Sequence, residues 1–260
     1  MSDEKDRKDE KEQPEGSEQG TLREYVDSLL VTVILALFGI TFVVQAFKIP
    51  SQSMEDTLLV GDHLLVNKFV FADGDAEGFH VLPYREVRRG DVVVFKFPVN
   101  PPYTHFVKRV IGLPGDRLRI ENRQVFINGE PLEEPYKIHR LGLRAAAAGV
   151  NFPPPPDGYY SNMNDEWYRQ MNRIRQGDEI VIPPGKYFVM GDNRDNSHDS
   201  RFWGLVDRSN IIGRPLLIYW SFDSSSRPAR SEPETRGAGW DRLSQFASRT
   251  RWNRLLHLVR

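Results

Sequence analysis

Apolar and polar residues divide the chain into a charged start, one long apolar stretch and a series of short alternating segments. The apolar stretch, residues 29–47, has no charged side chain. As a helix it would reach about 28 Å, close to the hydrocarbon core of a bilayer. A core helix of this length would show a polar stripe, and a cleavable signal peptide would have a shorter apolar region behind a basic start. We therefore expect residues 23–48 to form one retained transmembrane helix.

Segments rich in β-branched and aromatic residues follow this stretch and predict strands. The turn pairs Gly90-Asp91 and Asn128-Gly129 separate some of them, and Pro215 predicts a bend or an edge in the last. We expect a mainly β domain over residues 49–222. Its predicted strands are 92–97, 106–111, 117–120, 125–127, 179–182, 187–190 and 211–220.

The remaining segments have other compositions. Residues 1–22 are charged and poor in apolar residues, which predicts a disordered tail. Residues 130–178 interrupt the strand pattern and predict an inserted cap region with a short helix near 162–175. Residues 223–260 predict a linker followed by a basic amphipathic helix, with a frayed tail as the equal alternative.

Composition narrows the possible chemistry. The chain has no cysteine, which excludes disulfides, a thiol nucleophile and cysteine-based zinc sites. Its six histidines show no metal-binding spacing, so we expect neither a metal nor another cofactor. The net charge of −1 by itself indicates no particular class of partner. The N-terminal part has no basic domain of the kind that binds DNA, so we expect no nucleic-acid partner.

Ser53 follows directly after the apolar stretch and is a candidate nucleophile. A serine hydroxyl needs a base, and no histidine has the local context of a catalytic triad. A lysine can serve if burial lowers its pKa by about three units, or roughly 4 kcal/mol. Lys108 lies between Phe106 and Val110 on one strand face, but Lys96 has an equally apolar face. The local pattern leaves both lysines open, and a solvated lysine is the ordinary alternative.

A dense polar run, residues 190–201, follows one predicted strand. Its alternating acids and arginines predict internal ion pairs that would make a loop rigid. Ser197 could orient a lysine amine by a hydrogen bond. A solvated turn is the alternative, but the flanking Met190 and Trp203 indicate that the loop packs onto a core.

Four runs, in this order, resemble the type I signal peptidases, the membrane-anchored serine proteases that remove signal peptides from exported proteins. They are Ile49-Pro50-Ser51-Gln52-Ser53-Met54 with Thr57-Leu58, Arg89-Gly90-Asp91-Val92-Val93-Val94-Phe95, Val107-Lys108-Arg109-Val110-Ile111-Gly112-Leu113-Pro114-Gly115-Asp116, and the run from Gly191 to Arg201. Together they span residues 49–206, which is most of the chain after the apolar stretch.

The resemblance implies a role for each matching residue. Ser53 would be the nucleophile, and Lys108 rather than Lys96 the general base. The Ser53 backbone N–H and the Ser51 hydroxyl would form the oxyanion hole. Ser197 would hold the lysine amine, and the supporting ion pairs would come from Asp199, Arg201, Asp192 and Arg194. Shallow pockets that select Ala-x-Ala before the cleaved bond would be lined by Ile49, Pro50, Met54, Leu58 and Val107.

The resemblance also implies a location and partners. The protein would span the bacterial plasma (inner) membrane once, with the tail in the cytoplasm and the catalytic domain on the outer, periplasmic or extracellular face. Its partners would be precursors that carry signal peptides and the lipid bilayer, whereas the oligomeric state is not indicated. One position departs from the family. Asp56 stands where proline is usual, and we expect its side chain to form a local turn.

Other hypotheses remain open. A self-cleaving repressor-type protease uses a similar dyad, although the predicted anchor and the lack of a DNA-binding region argue against it. An inactive anchored homologue that only binds exported chains is a second alternative, for which Asp56 and the polar insertion leave room. The small residues 145–149 could be a self-processing site, but a flexible loop or short helix is the plainer interpretation.

Overall fold

A computed structural model describes residues 18–39, 44–71, 85–98, 104–140, 151–155, 158, 162–223 and 246–259. The first 17 residues of the predicted tail, residues 145–149 and most of the predicted linker lie outside these ranges. The chain divides into two units, Met1–Phe42 and Val43–Arg260, and each is described by itself.

The first unit contains helix α1, Glu18–Phe38, which begins inside the segment predicted to be a disordered tail. Its apolar side chains are largely exposed, with Tyr25 at 70%, Leu29 at 64% and Leu35 at 64% of their full area. Among the described residues, no helix combines the length and the apolar character that crossing a membrane requires.

The predicted transmembrane helix was expected to continue to residue 48, and here the structure differs. Strand β1, Val44–Lys48, pairs antiparallel with β2, Asp62–Asn67, so that Ala46 lies opposite Leu65. Pairing with β2 satisfies the backbone groups that a helix would otherwise satisfy internally. Phe47 also packs against an apolar core, which favours the strand. The apolar stretch is therefore shared between a helix and a strand.

The main sheet of the second unit is antiparallel throughout. Its strands after β2 are β3 Val92–Lys96, β4 His105–Gly112, β10 Lys186–Met190, β11 Val206–Asp207, β12 Ile211–Ser221 and β13 His257–Leu258. Eight strands of the described residues form the sheet, in the order β1-β2-β12-β3-β4-β10-β11, with β13 also paired to β12. A mainly β domain is confirmed.

Strand β12 joins the two halves of this sheet. Its first residues pair with β3, and its later residues pair with β2. The register shifts between Pro215 and Leu217, which confirms the bend predicted at the proline. Two apolar cores lie on this sheet, one around Val93, Phe95 and Val189 and one around Leu64 and Val94.

A second sheet consists of β5 Arg117–Glu121, β6 Gln124–Ile127, β7 Glu130–Pro131, β8 Arg175–Gln176 and β9 Glu179–Val181. Of these strands, β7 and β8 belong to the insertion. The order in the sheet is β7-β6-β5-β9-β8, and helix α2, Asp165–Ile174, packs on it, which confirms the predicted short helix. The Asn164 side chain caps α2 by accepting hydrogen bonds from the Glu166 and Trp167 N–H groups.

The end of the chain differs from the predicted amphipathic helix or frayed tail. Residues 246–249 are helical, a 3₁₀ turn follows at Trp252–Arg254, and β13 then pairs with β12. The Arg254 guanidinium lies 2.7 Å from the carboxylate of Asp62, which is fully buried. Because a buried carboxylate needs a cationic partner, this ion pair holds the last segment against the fold.

Candidate active site

Ser53 lies in a 3₁₀ turn, Gln52–Met54, between strands β1 and β2. The neighbouring Met54 side chain is 1% exposed and anchors the turn in an apolar core. The Leu58 N–H donates to the Met54 carbonyl at 2.7 Å, which tightens the chain after the turn. Ser53 itself is only 7% exposed, so its hydroxyl is held in a mostly dry position.

Lys108 lies on β4 directly against this serine. Its Nζ donates a hydrogen bond to Ser53 Oγ at 2.5 Å and another to the Val107 carbonyl at 3.2 Å. The side chain is 4% exposed. Lys96, the competitor that the strand pattern left open, is exposed at the end of β3. The structure therefore brings Lys108, and not Lys96, to the candidate nucleophile.

Burial lowers the pKa of Lys108 from 10.5 to about 8. The negative charges of Asp199 and Asp192 raise it in part, and the charge of Arg201 lowers it. The change corresponds to about 3 kcal/mol in favour of the neutral amine. At pH 7 roughly a tenth of the lysine would be neutral, enough to act as a base in each turnover.

A cleft of about 350 Å³ opens beside the two side chains. Ser51 lies at its edge, with its Oγ 3.4 Å from Ser53 Oγ. Four of the five residues expected to bind substrate line this cleft, namely Ile49, Pro50, Met54 and Val107. The lining also includes residues for which the resemblance implied no role: Thr104, His105, Phe106, Asn196 and His198.

Leu58 is the exception among the expected substrate-binding residues. It is fully buried and packs with Leu64 and Val66 in the core behind the turn. The same core contains Ile49 and Met54, which reach the cleft, whereas Leu58 is not among the residues that line it. Leu58 therefore supports the nucleophile turn from behind and does not line a substrate pocket.

The loop after β10 is pinned by a buried ion pair. Arg201 Nε donates to the Asp199 carboxylate at 2.8 Å, and the Gly191 N–H donates to the same carboxylate at 3.1 Å. Burial raises the pKa of Asp199, but the charge and hydrogen bonds of Arg201 outweigh it, and the pKa is lowered overall. This pair agrees with the expected internal pairing of the loop.

Two other charged residues of the loop differ from that expectation, because they pair with partners elsewhere. The Asp192 carboxylate receives Arg109 Nε at 2.9 Å and the Thr57 hydroxyl at 2.6 Å. Arg194 forms a buried ion pair with Glu134, in the chain after β7. These contacts fasten the loop to β4, to the segment after Ser53 and to the insertion, so they fix its position as well as its shape.

Ser197 does not make the expected contact with the lysine amine. Its Oγ is buried and has no hydrogen bond of ordinary geometry within the described residues. The hydroxyl lies close enough to Asp199 to contribute to the lowered pKa of that carboxyl. Lys108 Nζ instead donates to Ser53 Oγ and to the Val107 carbonyl.

In the part of the chain that the structure describes, no group of three or more His, Asp or Glu side chains could hold a metal ion.

A family model described as signal peptidase, peptidase S26, matches residues 22–220, which include the whole constellation around Ser53. This chain belongs to the signal peptidase family, peptidase S26. Signal peptidase I of Aquifex aeolicus (strain VF5) is 35% identical over 229 residues, covering 77% of this chain and 85% of that protein. Signal peptidase I of Leptolyngbya laminosa is 38% identical over 206 residues, covering 76% and 80%.

A solved structure of a signal peptidase I from Enterococcus faecalis V583 also matches. It is 27% identical and covers 50% of this chain and 97% of that one, with a TM-score of 0.33. Signal peptidase I P of Bacillus subtilis subsp. natto is 31% identical over 210 residues, covering 80% of this chain and 95% of that protein.

Asp56 has a backbone conformation that proline, the residue expected at this position from the resemblance, cannot adopt. Its φ is +73°, whereas the proline ring holds φ near −65°. The Asp56 side chain was expected to form a local turn. It instead forms an ion pair with Arg140, whose guanidinium donates to the Asp56 carboxylate at 2.6 Å. Arg140 also lies 3.5 Å from Glu55, so the loop after the nucleophile is tied to the start of the insertion.

Sequence reasoning missed Arg109, Glu134 and Asn193 in this signal peptidase. Arg109 neighbours Lys108 on β4, and a charged residue within an apolar strand was a usable signal. Glu134 had no such signal, because its partner lies 60 positions away. Asn193 was part of the polar run but was not assigned a role.

Proposed function

We propose that this signal peptidase is a membrane-anchored serine endopeptidase that removes N-terminal signal peptides from exported proteins after Ala-x-Ala-like sites. Family membership supports the activity, and one contact carries the mechanism: the buried Lys108 Nζ lies 2.5 Å from Ser53 Oγ. A hydroxyl and a desolvated amine at this distance can exchange a proton directly.

Proton transfer and bond making follow from that pair. Neutral Lys108 takes the Ser53 proton as Oγ attacks the scissile carbonyl, and a tetrahedral intermediate with a negative oxygen forms. The ammonium of Lys108 then protonates the departing amine, and the C–N bond breaks to leave an acyl-serine. Neutral Lys108 takes a proton from the water that attacks this ester. It returns that proton to Ser53 Oγ as the ester C–O bond breaks, which releases the signal peptide and restores the Ser53 hydroxyl.

The oxyanion hole is proposed to use the Ser53 N–H and the Ser51 hydroxyl. The Ser51 Oγ lies 3.4 Å from Ser53 Oγ, which supports its proximity to the developing charge. Donors that are fixed before the reaction stabilise the transition state without reorganisation. Ser51 is exposed at the cleft, where an incoming carbonyl can reach it.

The substrate is proposed to bind extended between residues 49–54 and 104–108, because residues of both segments line the cleft. The buried Ile49 and Met54 leave little depth there, which supports a preference for small side chains. An extended peptide could pair with the strand edges that border the cleft.

The loop after β10 is proposed to keep Lys108 in place. Asp199 and Arg201 together limit the electrostatic effect of the loop on Lys108, since the charge of Asp199 raises the pKa of Lys108 and the charge of Arg201 lowers it. Asp192 and Arg194 fasten the loop to β4 and to the insertion. Ser197 is proposed to orient the amine by rotation of its hydroxyl, which is supported by its buried and unpaired Oγ among the described residues.

Membrane anchoring is proposed to rest on α1 and the apolar residues that follow it. The exposed apolar side chains of α1 support this proposal, together with the preceding charged residues. The catalytic domain would face the outside of a bacterial plasma membrane. The test is alkaline carbonate extraction of membranes from cells that express either the full chain or a variant lacking residues 1–43. The full chain should stay in the membrane fraction, and the truncated variant should be released. Release of the full chain by carbonate would contradict the proposal.

The activity is tested with the full chain in detergent and a precursor whose signal peptide ends in Ala-x-Ala. Ser53→Ala and Lys108→Met should each abolish cleavage, because one removes the nucleophile and the other the base. Lys96→Met is the matched control, since Lys96 is an exposed strand lysine, and it should retain wild-type turnover. Cleavage by Ser53→Ala, or equal loss in both lysine variants, would contradict the assignment.

A further inference from the structure

Asn193 makes a group of contacts with the nucleophile turn that the mechanism above leaves unused. Its side chain is 2% exposed. Its Nδ2 donates to the Gln52 carbonyl at 3.3 Å and to the Glu55 carboxylate at 3.4 Å. Its backbone N–H donates to the Ser53 carbonyl at 3.1 Å. One residue therefore holds three successive parts of the turn around Ser53.

The contact with the Gln52 carbonyl matters because of the peptide unit it belongs to. That carbonyl and the Ser53 N–H are the two ends of one planar trans peptide, so they point in opposite directions. Whatever fixes the direction of the carbonyl also fixes the direction of the N–H. A hydrogen bond accepted by the carbonyl additionally polarises the peptide and makes the N–H a stronger donor.

The Gln52 carbonyl also accepts the backbone N–H of Glu55 at 3.1 Å, which closes the 3₁₀ turn. Asn193 Nδ2 is therefore the second donor on the same oxygen, and it comes from a different segment of the chain. The turn sets the approximate direction of the peptide by itself. The added side-chain amide ties that direction to the loop that carries Asp192 and Asp199.

We propose that Asn193 is a positioning residue of the oxyanion hole, acting through the Gln52–Ser53 peptide to aim and strengthen the Ser53 N–H. The inference rests on the proposed function, in which that N–H receives the negative oxygen of the tetrahedral intermediate. Asn193 touches neither the substrate nor Lys108 Nζ in this account. Its effect is on the transition state and not on substrate binding.

Two substitutions separate this role from simple packing. Asn193→Asp keeps the shape but replaces the donor with an acceptor facing the Gln52 carbonyl and the Glu55 carboxylate. Asn193→Ala removes the donor and leaves a small cavity. Both keep the backbone N–H bond to the Ser53 carbonyl. A packing role predicts that alanine is the worse change, whereas our proposal predicts that aspartate is worse.

The experiment measures kcat and KM of the full chain in detergent on the precursor peptide, across the pH range that includes the plateau of activity. Loss of an entire oxyanion donor costs about 10²–10³-fold in kcat, and the Glu55 N–H still holds the carbonyl here. We therefore expect about a tenfold fall in plateau kcat for Asn193→Ala and a larger fall for Asn193→Asp, with KM unchanged. Asn122→Asp, in the exposed turn between β5 and β6, is the control for the chemical change and should match the wild type.

A peptide aldehyde ending in Ala-x-Ala provides a second readout, because its adduct with Ser53 places an oxygen in the oxyanion hole. Its inhibition should weaken in proportion to the fall in kcat, while binding of a non-cleavable peptide should not change. Wild-type plateau kcat in both variants, or a greater loss in Asn193→Ala than in Asn193→Asp, would overturn the proposal. Failure of the proposed function would look different, since Ser53→Ala would then still cleave the precursor.

Discussion

Replacing Gly191 with alanine should damage the active site through a single methyl group. The added Cβ would overlap the Ser53 carbonyl oxygen and Ser197 Oγ, and it would lie 2.6 Å from Ser197 Cβ. Ordinary contacts of a Cβ lie at about 3.4–4 Å, so the two segments would have to separate by roughly 1 Å. The Ser53 carbonyl belongs to the nucleophile itself, so the displacement reaches the reacting group.

The expected loss of activity follows from the displacement of the reacting atoms. A misplacement of about 1 Å costs on the order of 100-fold in rate when the reacting atoms must meet in one geometry. Overpacking of a filled interior costs about 1–3 kcal/mol of stability. Gly191→Ala should therefore remain folded in the cold and lose about two orders of magnitude in kcat/KM.

The assay pairs cleavage kinetics with thermal unfolding of the purified chain. Gly213→Ala is the matched control, because its Cβ would overlap the Asn67 carbonyl and lie 2.9 Å from the Asn67 carbonyl carbon, between β12 and β2. It should lose similar stability while its folded fraction keeps wild-type turnover. Wild-type kcat/KM in folded Gly191→Ala would refute the packing argument.

Three further predictions concern pH, the loop and the chain end. Because burial lowers the pKa of Lys108 to about 8, kcat/KM should fall about tenfold for each pH unit below 8 and level off above it. Asp56→Pro should lose at least about 1–3 kcal/mol of stability, since φ is +73° there, whereas Asp56→Asn tolerates that conformation. Arg254→Met should lose about 3–5 kcal/mol in urea unfolding, because it leaves the Asp62 carboxylate buried without its cation.

Each of these predictions has a result that would contradict it. A flat pH profile between pH 6 and 9 would mean that no group with a pKa near 8 controls cleavage. Equal stability of the proline and asparagine variants at position 56 would show that the backbone there relaxes freely. Wild-type urea unfolding of Arg254→Met would show that the last segment contributes no ion-pair stabilisation.

The fold was predictable from the sequence where a strand has its own local pattern of β-forming residues. Strands β3, β4, β5 and β10 lie close to their predicted bounds, because each has a run of β-forming residues and an adjacent turn signal. Two-residue strands such as β11 and β13 have no such pattern, since they exist only through their partners. The same holds for β1, where pairing with β2 replaces the end of the predicted helix.

The residue pattern nominated Ser53 and offered two candidate lysines, but the choice of Lys108 was predictable only through the resemblance to a family. Strand alternation places Lys108 on an apolar face, but it does not say which face meets Ser53 from 55 positions away. For that reason, strand alternation could not show whether Lys108 or Lys96 lies beside Ser53. The pairing of Asp192 with Arg109, 83 positions apart, was likewise invisible, because long-range ion pairs depend on which elements fold together.

The most direct test is a titration of the Lys108 amine itself. The full chain in detergent would be labelled with ¹⁵N at its lysine amines, and the Lys108 signal would be assigned by its loss in Lys108→Met. We predict a titration midpoint at about 8, together with a change in the signal when Ser53 is replaced by alanine. A midpoint at the ordinary value of 10.5 would contradict the account, because the amine would then be charged throughout the working pH range.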